Sequence, residues 1–181
     1  EIDSKKNNSI KLEGFYLIDG EKYKKYYLNN NIKNKINNLD LSIEFDQKIS
    51  LPVINYLKKK GIMSNIKSNL KISKDIIEIV NLEYSENENL ILLKNIIFDK
   101  NKKFKDFRYA KIKTSLDQRV NNDFEIYFKD NIEIKGKKFD GTNLSKIKSG
   151  EENYFKITKD IIINFGSIKT PLSKKIEKFN L

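Results

Sequence analysis

Three charged residues on neighbouring predicted strands could hold and use a metal ion. Glu133 and Lys135 flank Ile134 in a predicted strand, and Asp123 precedes them by ten residues. In metal-dependent nucleases an Asp and a Glu bind Mg²⁺ while a Lys supports the attacking water. The same alternation of Glu and Lys is also common on the solvent-facing side of a strand. A metal-dependent nuclease is therefore the third functional hypothesis, behind two binding functions.

The missing residue types exclude most other catalytic chemistry. The chain has 181 residues and contains no Cys, no His and no Trp. Disulfides, zinc fingers, thiol nucleophiles and the Ser-His-Asp triad are therefore impossible. No glycine-rich phosphate-binding motif is present either. We expect a non-enzymatic protein with no cofactor and no metal.

The positive charge has two explanations, and the sequence leaves both open. There are 36 Lys and Arg against 25 Asp and Glu, a formal net charge of +11. Lys, Asn and Ile dominate together, which is typical of an AT-rich genome. Lys and Tyr are also interleaved over residues 23–27, a pattern that can bind single-stranded nucleic acid by stacking and phosphate contact. We favour an amphipathic edge element there, and we expect no specific nucleic-acid partner.

Alternating apolar and polar residues predict a mainly β protein. Residues 39–45 alternate strictly, which indicates a half-buried strand. Residues 29–38, rich in Asn and Lys, are interpreted as a loop or a polar helix. From residue 66 onward, apolar runs recur about every ten residues between short polar turns, as in all-β sheets. The candidate strands are residues 66–72, 76–84, 90–98, 107–116, 123–129, 132–138, 154–158 and 160–168.

One short helix is expected near residues 51–60. Ser50 can cap it, Pro52 suits its first turn, and Gly61 suits its C-terminal end. The resulting prediction has three parts: an N-terminal hairpin, strand and helix (1–65), a main antiparallel sheet region (66–170) and a tail (171–181). The tail is expected to form one or two helical turns over residues 173–181.

A set of apolar residues at alternating strand positions has two interpretations. Its members could fill a closed core, or they could line an apolar groove that takes an acyl chain. Lysines at the rim of such a groove would meet anionic headgroups. The candidate lipid-binding residues are Phe107, Tyr109, Phe124, Ile126, Phe128, Ile132, Ile134, Ile161, Ile163 and Phe165.

The region from residue 80 to residue 165 resembles a known family in its rhythm of strand, polar turn and strand. Its segments 84–90, 109–112 and 124–136 are similar to the OstA/LptC type of lipopolysaccharide-transport domain. Residues 132–136 also resemble parts of AsmA/TamB-like lipid-bridge proteins. The resemblance implies an open antiparallel β-jellyroll or sandwich in the periplasm or cell envelope. It implies a lipid or glycolipid ligand and no catalytic residue.

The expected function is therefore binding or passing a lipid or glycolipid through an apolar sheet face. The alternative is a surface or pilus-type module that binds other proteins. Other envelope transport proteins are further possible partners, by pairing along an edge strand. The chain starts at Glu1, which fits export after removal of a signal or anchor and fits a truncated boundary equally well. No run of apolar residues is long enough to span a membrane as a helix.

Overall fold

The computed structural model describes residues 8–18, 22–144, 159–172 and 176–181. It confirms the mainly β, mostly antiparallel fold class. None of the helical segments in the described ranges is long and apolar enough to cross a membrane. In chain order the strands are β1 (Asn8–Tyr16), β2 (Lys24–Lys33), β3 (Ile36–Phe45), β4 (Ile49–Leu51), β5 (Tyr56–Lys58), β6 (Ser64–Ile72), β7 (Ile76–Glu86), β8 (Asn89–Asp99), β9 (Phe104–Asp106), β10 (Tyr109–Leu116), β11 (Arg119–Phe128), β12 (Ile132–Asp140), β13 (Ile161–Lys169) and β14 (Ile176–Asn180).

The chain divides into two compact units that alternate along the sequence. The first unit contains residues 1–46, 63–87 and 92–108, and the second contains residues 47–62, 88–91 and 109–181. The predicted boundaries at residues 65 and 170 do not coincide with this division. The reason is visible in β6, which returns after residue 62 and pairs with β3, placing Ser64 opposite Phe45.

The first unit is built on one run of neighbouring strands. Their order is β1-β2-β3-β6-β7-β8, and β9 pairs with β8. The pairings from β1 to β7 are all antiparallel. Asn34 and Lys35 connect β2 to β3 with φ angles of 52° and 62°. Positive φ at both central residues is the requirement of a type I′ hairpin turn, so residues 29–38 form strands and not the predicted loop or helix.

The second unit contains the strand order β10-β11-β12-β13-β14 and the separate β4–β5 hairpin. Three of its four sheet pairings are antiparallel. β12 and β13 run parallel, with Ile132 opposite Ile161. A parallel pair needs a long connection, and residues 141–160 provide it. The tail forms strand β14 and not the predicted helical turns, while the candidate strand at 154–158 lies outside the described residues.

The predicted helix at residues 51–60 is wrong. Within residues 51–60, helical geometry is limited to one 3-10 turn, Pro52–Ile54, between the two strands of the hairpin. Asn55 follows it in the left-handed region with φ 45°, which reverses the chain. Burial then follows a period of two, since Tyr56 and Lys58 are buried while Leu57 is 50% exposed. Ser50, Pro52 and Gly61 are compatible with a turn as well as with a helix, so the pairing of β4 with β5 determines the structure of this segment.

Three phenylalanines form the centre of the second unit's core. The ring centroids of Phe124 and Phe139 are 5.5 Å apart, and Phe165 lies 5.7 Å from each of them. Phe124 is paired with Gly136, beside a β-bulge in the β11–β12 register. The bulge reverses the in–out alternation of β12, so that Phe139 faces the same side of the sheet as Phe124.

Candidate functional site

One side of the first unit's sheet is apolar over five neighbouring strands. The register places Leu28, Leu41 and Ser68 in one row and Ile43, Ile66 and Tyr84 in another. A bulge at Val80 keeps the apolar residues of β7 on this side along the whole strand. We call this surface the apolar face. Its large apolar members are Ile10, Leu12, Leu28, Leu39, Leu41, Ile43, Phe45, Ile66, Leu70, Ile72, Ile77, Ile79 and Leu82.

The apolar face remains accessible to solvent. The large apolar members from Leu28 on β2 to Leu82 on β7 are half-buried, whereas Ser68 and Tyr84 in the same rows are buried. At the edge, Ile10 and Leu12 are 53% and 52% exposed. Contiguous exposed apolar surface of this kind marks an interaction or ligand site more often than a solvent face.

The opposite side of the same sheet is polar and internally bonded. Asp40 accepts hydrogen bonds from the amides of Asn29 at 3.3 Å and Asn69 at 2.7 Å. Lys71 forms an ion pair with Glu78 at 3.9 Å. The two sides of the sheet therefore differ in chemistry, and only the apolar face offers surface for an acyl chain.

A buried ion pair closes one end of the apolar face. Lys24 is fully buried, with its Nζ 3.2 Å from Asp46 Oδ1 and 3.2 Å from the carbonyl oxygen of Lys22. Tyr16 is opposite Lys24 and donates its hydroxyl proton to the carbonyl of Glu44. Burial raises the pKa of the Tyr16 hydroxyl. The lysine charge at this end is thus already neutralised by a partner.

The other end of the apolar face carries a cluster of exposed lysines. The turns β2–β3 and β6–β7 meet there, because Ile36 and Asn37 begin β3 and Asn37 pairs with Ile72. β7 and β8 are neighbours joined by a two-residue turn, so the end of β8 returns to the same side. We call the three connections β2–β3, β6–β7 and β8–β9 the lysine turns. Their exposed lysines are Lys35, Lys74, Lys100, Lys102 and Lys103.

Three asparagines, Asn8, Asn30 and Asn37, interrupt the apolar face near the lysine turns. Asn30 lies between Ile10 and Leu39 in neighbouring strands. Its Oδ1 is buried and accepts no hydrogen bond within the described part of the chain. Buried polar atoms are almost always satisfied, so this one marks a position where a ligand group can bind.

The candidate lipid-binding residues predicted from the sequence fall into separate environments. Phe107 belongs to the first unit, 6.5 Å from the Phe104 ring, and Tyr109 faces the opposite side of its sheet beside Tyr127 at 5.2 Å. The remaining eight share one side of the second unit's sheet. Among them Phe124, Ile132 and Phe165 are buried, Ile126, Phe128, Ile134 and Ile163 are half-buried, and Ile161 is 42% exposed.

The nuclease triad is not assembled by the strand register. Asp123 and Glu133 lie on the same side of the sheet, but Glu133 is opposite Tyr127, four residues from Asp123. At about 3.3 Å per residue this separates them by roughly 13 Å, too far for one metal ion. Lys135 forms an ion pair with Glu133 at 3.1 Å. No group of three potential metal-ligating side chains occurs in the described residues.

A buried polar network anchors the hairpin of the second unit. Asn122 donates from Nδ2 to the carbonyl of Ile54 at 2.6 Å and to Thr114 Oγ1 at 2.8 Å. Its Oδ1 accepts from the backbone N–H of Asp140 at 2.8 Å. Asn55 donates to Asp140 Oδ2 at 2.9 Å. The network is saturated by protein groups, so we assign it to structure and not to ligand binding.

Asp140 gives the network a pH dependence. Burial raises the pKa of its carboxyl, but the hydrogen bonds from Thr142 and Asn55, together with the nearby Lys169, outweigh burial and hold the pKa below its ordinary value of 3.8. A carboxyl with a lowered pKa in the folded state stabilises the protein fully above its unfolded pKa. This contribution is lost as the pH falls through the lowered folded pKa.

We therefore predict that Asp140→Asn lowers the free energy of unfolding by about 1 kcal/mol at pH 7, and that this difference shrinks below pH 3.8. Urea unfolding of both proteins, from pH 7 down to about pH 2.5, measures this difference in the free energy of unfolding. Asp130→Asn, in an exposed turn, is the control and should leave the stability nearly unchanged. A difference that grows as the pH falls would contradict the prediction.

The apolar face of the first unit was not among the predicted site residues. Its best sequence signal was the strict alternation in residues 39–45, which predicted one half-buried strand. That β3 lies between β2 and β6, with their apolar residues aligned, depends on long-range pairing. Alternation within one strand separates its side chains into two sets, but only the register between strands shows which sets lie on the same side of the sheet.

Comparison with known proteins provides no relative. No family model, no curated protein and no solved structure matches this chain. The fold and the site therefore define a class. It is a mainly antiparallel β protein whose first unit exposes an apolar sheet face, with the buried Lys24–Asp46 ion pair at one end and the exposed lysines of the lysine turns at the other.

Proposed function

We propose that the protein binds a lipid or glycolipid by laying its acyl chain on the apolar face of the first unit. The observation that carries the proposal is the alignment of half-buried apolar side chains across β2, β3, β6 and β7. The four aligned strands make a surface about 14 Å wide at the usual strand spacing, which is wide enough for one or two acyl chains.

The hydrophobic effect contributes to such binding and offsets part of the cost of association. A methylene group that leaves water contributes about 0.8 kcal/mol. A chain of about twelve carbons that is half covered by the sheet would gain on the order of 4 kcal/mol before the cost of association. The half-buried Ile126, Phe128, Ile134 and Ile163 in the second unit provide a further apolar surface.

The segments that resemble OstA/LptC-like and AsmA/TamB-like proteins lie mainly in the second unit, so the resemblance supports lipid binding by the protein but not its placement on the first unit's apolar face. Those families are associated with lipid binding on β-sheets that are apolar on one side. A location in the periplasm or envelope stays a prediction that depends on this resemblance.

Replacing apolar-face residues should weaken acyl-chain binding. The variant carries Leu41→Gln and Leu70→Gln, which introduce polar groups at the centre of the apolar face. We expect the dissociation constant for dansylundecanoic acid to rise about tenfold. The bound acyl chain would cover the two introduced side-chain amides and remove their hydrogen bonds to water. Fluorescence titration of the dansyl group measures the affinity, and circular dichroism establishes that both proteins are folded.

The matched control replaces the next residue in each strand, on the polar side of the same sheet. Ser42→Gln and Lys71→Gln introduce the same amides there, since the side chains alternate along β3 and β6. Binding should be unchanged in this control. No binding to the wild type, or equal weakening in both double variants, would refute the proposal.

A second candidate function has one observation in its favour. β1 is an edge strand of the first unit and exposes Ile10, Leu12 and Phe15, with the charged Lys11 and Glu13 between them. Such an edge could add a strand from a partner protein. This is the protein-interaction module, and concentration-dependent association in analytical ultracentrifugation would favour it if lipid binding is absent.

A further inference from the structure

We infer that the ligand is an anionic amphiphile whose headgroup lies at the lysine turns and whose first hydrogen-bond donor binds Asn30. The inference rests on the proposed function, since it presupposes an acyl chain on the apolar face. It adds the charge of the headgroup, the direction of the chain and the chemistry of the linkage. Two separate observations carry it.

The first observation is the unbalanced positive charge at one end of the apolar face. Within the described residues, none of the five exposed lysines of the lysine turns forms an ion pair with a carboxylate. Asp99 is engaged by the backbone N–H of Lys103 and by Lys105 at 3.4 Å. The Lys103 and Asn101 backbone bonds and Lys105 hold the pKa of Asp99 low in spite of some desolvation. An anionic headgroup would meet free cations here.

The opposite end of the face does not offer the same charge. Lys24 is buried against Asp46 there, so its ammonium is neutralised and inaccessible. Lys22 beside it is exposed, but the lysine turns carry five exposed lysines, so an anionic amphiphile favours one orientation on the apolar face. Its head faces the lysine turns and its chain runs toward Phe45 and Tyr84, whose rings are 6.1 Å apart.

The second observation is the unsatisfied acceptor of Asn30. Its Oδ1 is buried and without a hydrogen-bond partner in the described chain, in a row with Ile10 and Leu39. A carbonyl oxygen of this kind requires a donor. An amide N–H or a hydroxyl on the ligand would satisfy it, whereas the oxygen of an ester linkage would not.

The spacing of the two features matches one molecule. Asn30 precedes the β2–β3 turn at Asn34 and Lys35 by four residues, a distance of roughly 13 Å along the strand. Lysine side chains are long and can extend back over an apolar surface. A donor placed shortly after the headgroup therefore reaches Asn30 while the head contacts the lysines. N-acylated or hydroxyacylated anionic lipids have this arrangement.

An amide–ester comparison tests the role of Asn30. N-lauroylglycine and O-lauroylglycolate have the same head and chain, and only the first carries an N–H at the linkage. We expect the wild type to bind the amide about tenfold more tightly, as measured by displacement of dansylundecanoic acid. Asn30→Leu removes the acceptor and should abolish this preference. Asn31→Leu, an exposed neighbour on the polar side, is the matched control and should keep it.

A charge-neutralising variant tests the role of the lysine turns. Lys35→Gln, Lys74→Gln and Lys102→Gln together should weaken N-lauroylglycine binding about tenfold at low salt. Binding of the neutral N-lauroylethanolamine should not change. The control triple Lys67→Gln, Lys113→Gln and Lys137→Gln alters the net charge equally, at exposed positions away from the turns, and should bind both probes like the wild type.

The outcomes separate this inference from the proposed function. If no lauroyl compound binds the wild type, the proposed function itself is wrong. If all of them bind but the amide and ester bind equally, the assignment of Asn30 is overturned. If the two lysine triples behave alike toward N-lauroylglycine, the assignment of the headgroup to the lysine turns is overturned, while acyl-chain binding stands.

Discussion

Gly136→Ala should destabilise the protein by about 3 kcal/mol. A methyl group on residue 136 would lie 2.4 Å from the carbonyl oxygen of Asp123 and 2.4 Å from Cβ of Phe124. It would also lie 2.6 Å from Cα of Phe124. All three atoms belong to the paired strand β11, and Phe124 is buried. They therefore cannot move without disturbing the β11–β12 register and the phenylalanine core.

The control for this variant is Gly166→Ala in the neighbouring strand. There the added methyl group would meet only the carbonyl oxygen of Lys137, at 3.0 Å, and residue 166 is exposed. We expect a loss of about 1 kcal/mol or less, because a few tenths of an ångström of movement relieves the contact. Urea unfolding followed by circular dichroism measures both variants. Equal stability of Gly136→Ala and wild type would show that Phe124 does not pack on Gly136.

The second large effect is expected for Asn122→Leu, which should lower the free energy of unfolding by about 4 kcal/mol. Asn122 is fully buried and makes three hydrogen bonds, to Ile54, Thr114 and Asp140. Leucine has a similar size but no polar atoms, so the carbonyl of Ile54 and the N–H of Asp140 would lose this partner. Each such buried group costs about 1–3 kcal/mol.

Asn164→Leu is the matched control for the second prediction. Asn164 is exposed on β13, and its replacement should change stability by less than about 0.5 kcal/mol. Unfolding by urea, monitored by circular dichroism, compares the two variants. Protease cleavage within residues 47–62 offers an independent measurement, because loss of the Asn122–Ile54 bond should release the hairpin. A hairpin that stays protected in Asn122→Leu would contradict the role assigned to Asn122.

The strands were predictable where local pattern and tertiary pairing agree. In β3, β7 and β12 the alternation of apolar and polar residues matches the two sides of the sheet. The prediction was wrong at residues 51–60, where Ser50, Pro52 and Gly61 are equally acceptable in a helix and in a turn. Local capping signals are weak, about 1 kcal/mol each, so pairing between β4 and β5 overrides them.

The candidate site shows the same division between local and long-range information. The alternation of β11 and β12 correctly placed Phe124, Ile126, Phe128, Ile132 and Ile134 on one side of a sheet. It could not show that Phe124 and Ile132 are buried while their neighbours stay half-buried. It also placed Tyr109 with them, although the β10–β11 register puts Ala110 opposite Ile126 and so directs Tyr109 to the other side. Burial and register are properties of neighbouring strands.

The amino-acid sequence by itself determined the chemical limits and the fold class. Without Cys and His, thiol chemistry, imidazole chemistry and Cys- or His-ligated zinc sites are impossible in this chain whatever the fold, and the period of two in apolar residues predicts strands. Only the tertiary structure decided that Asp123 and Glu133 stay apart, that an apolar face forms in the first unit, and that Asn30 and the lysine turns lie along one end of it. The physical reason is that a strand's pattern specifies two sides, whereas contacts between residues distant in sequence depend on strand order, register and bulges.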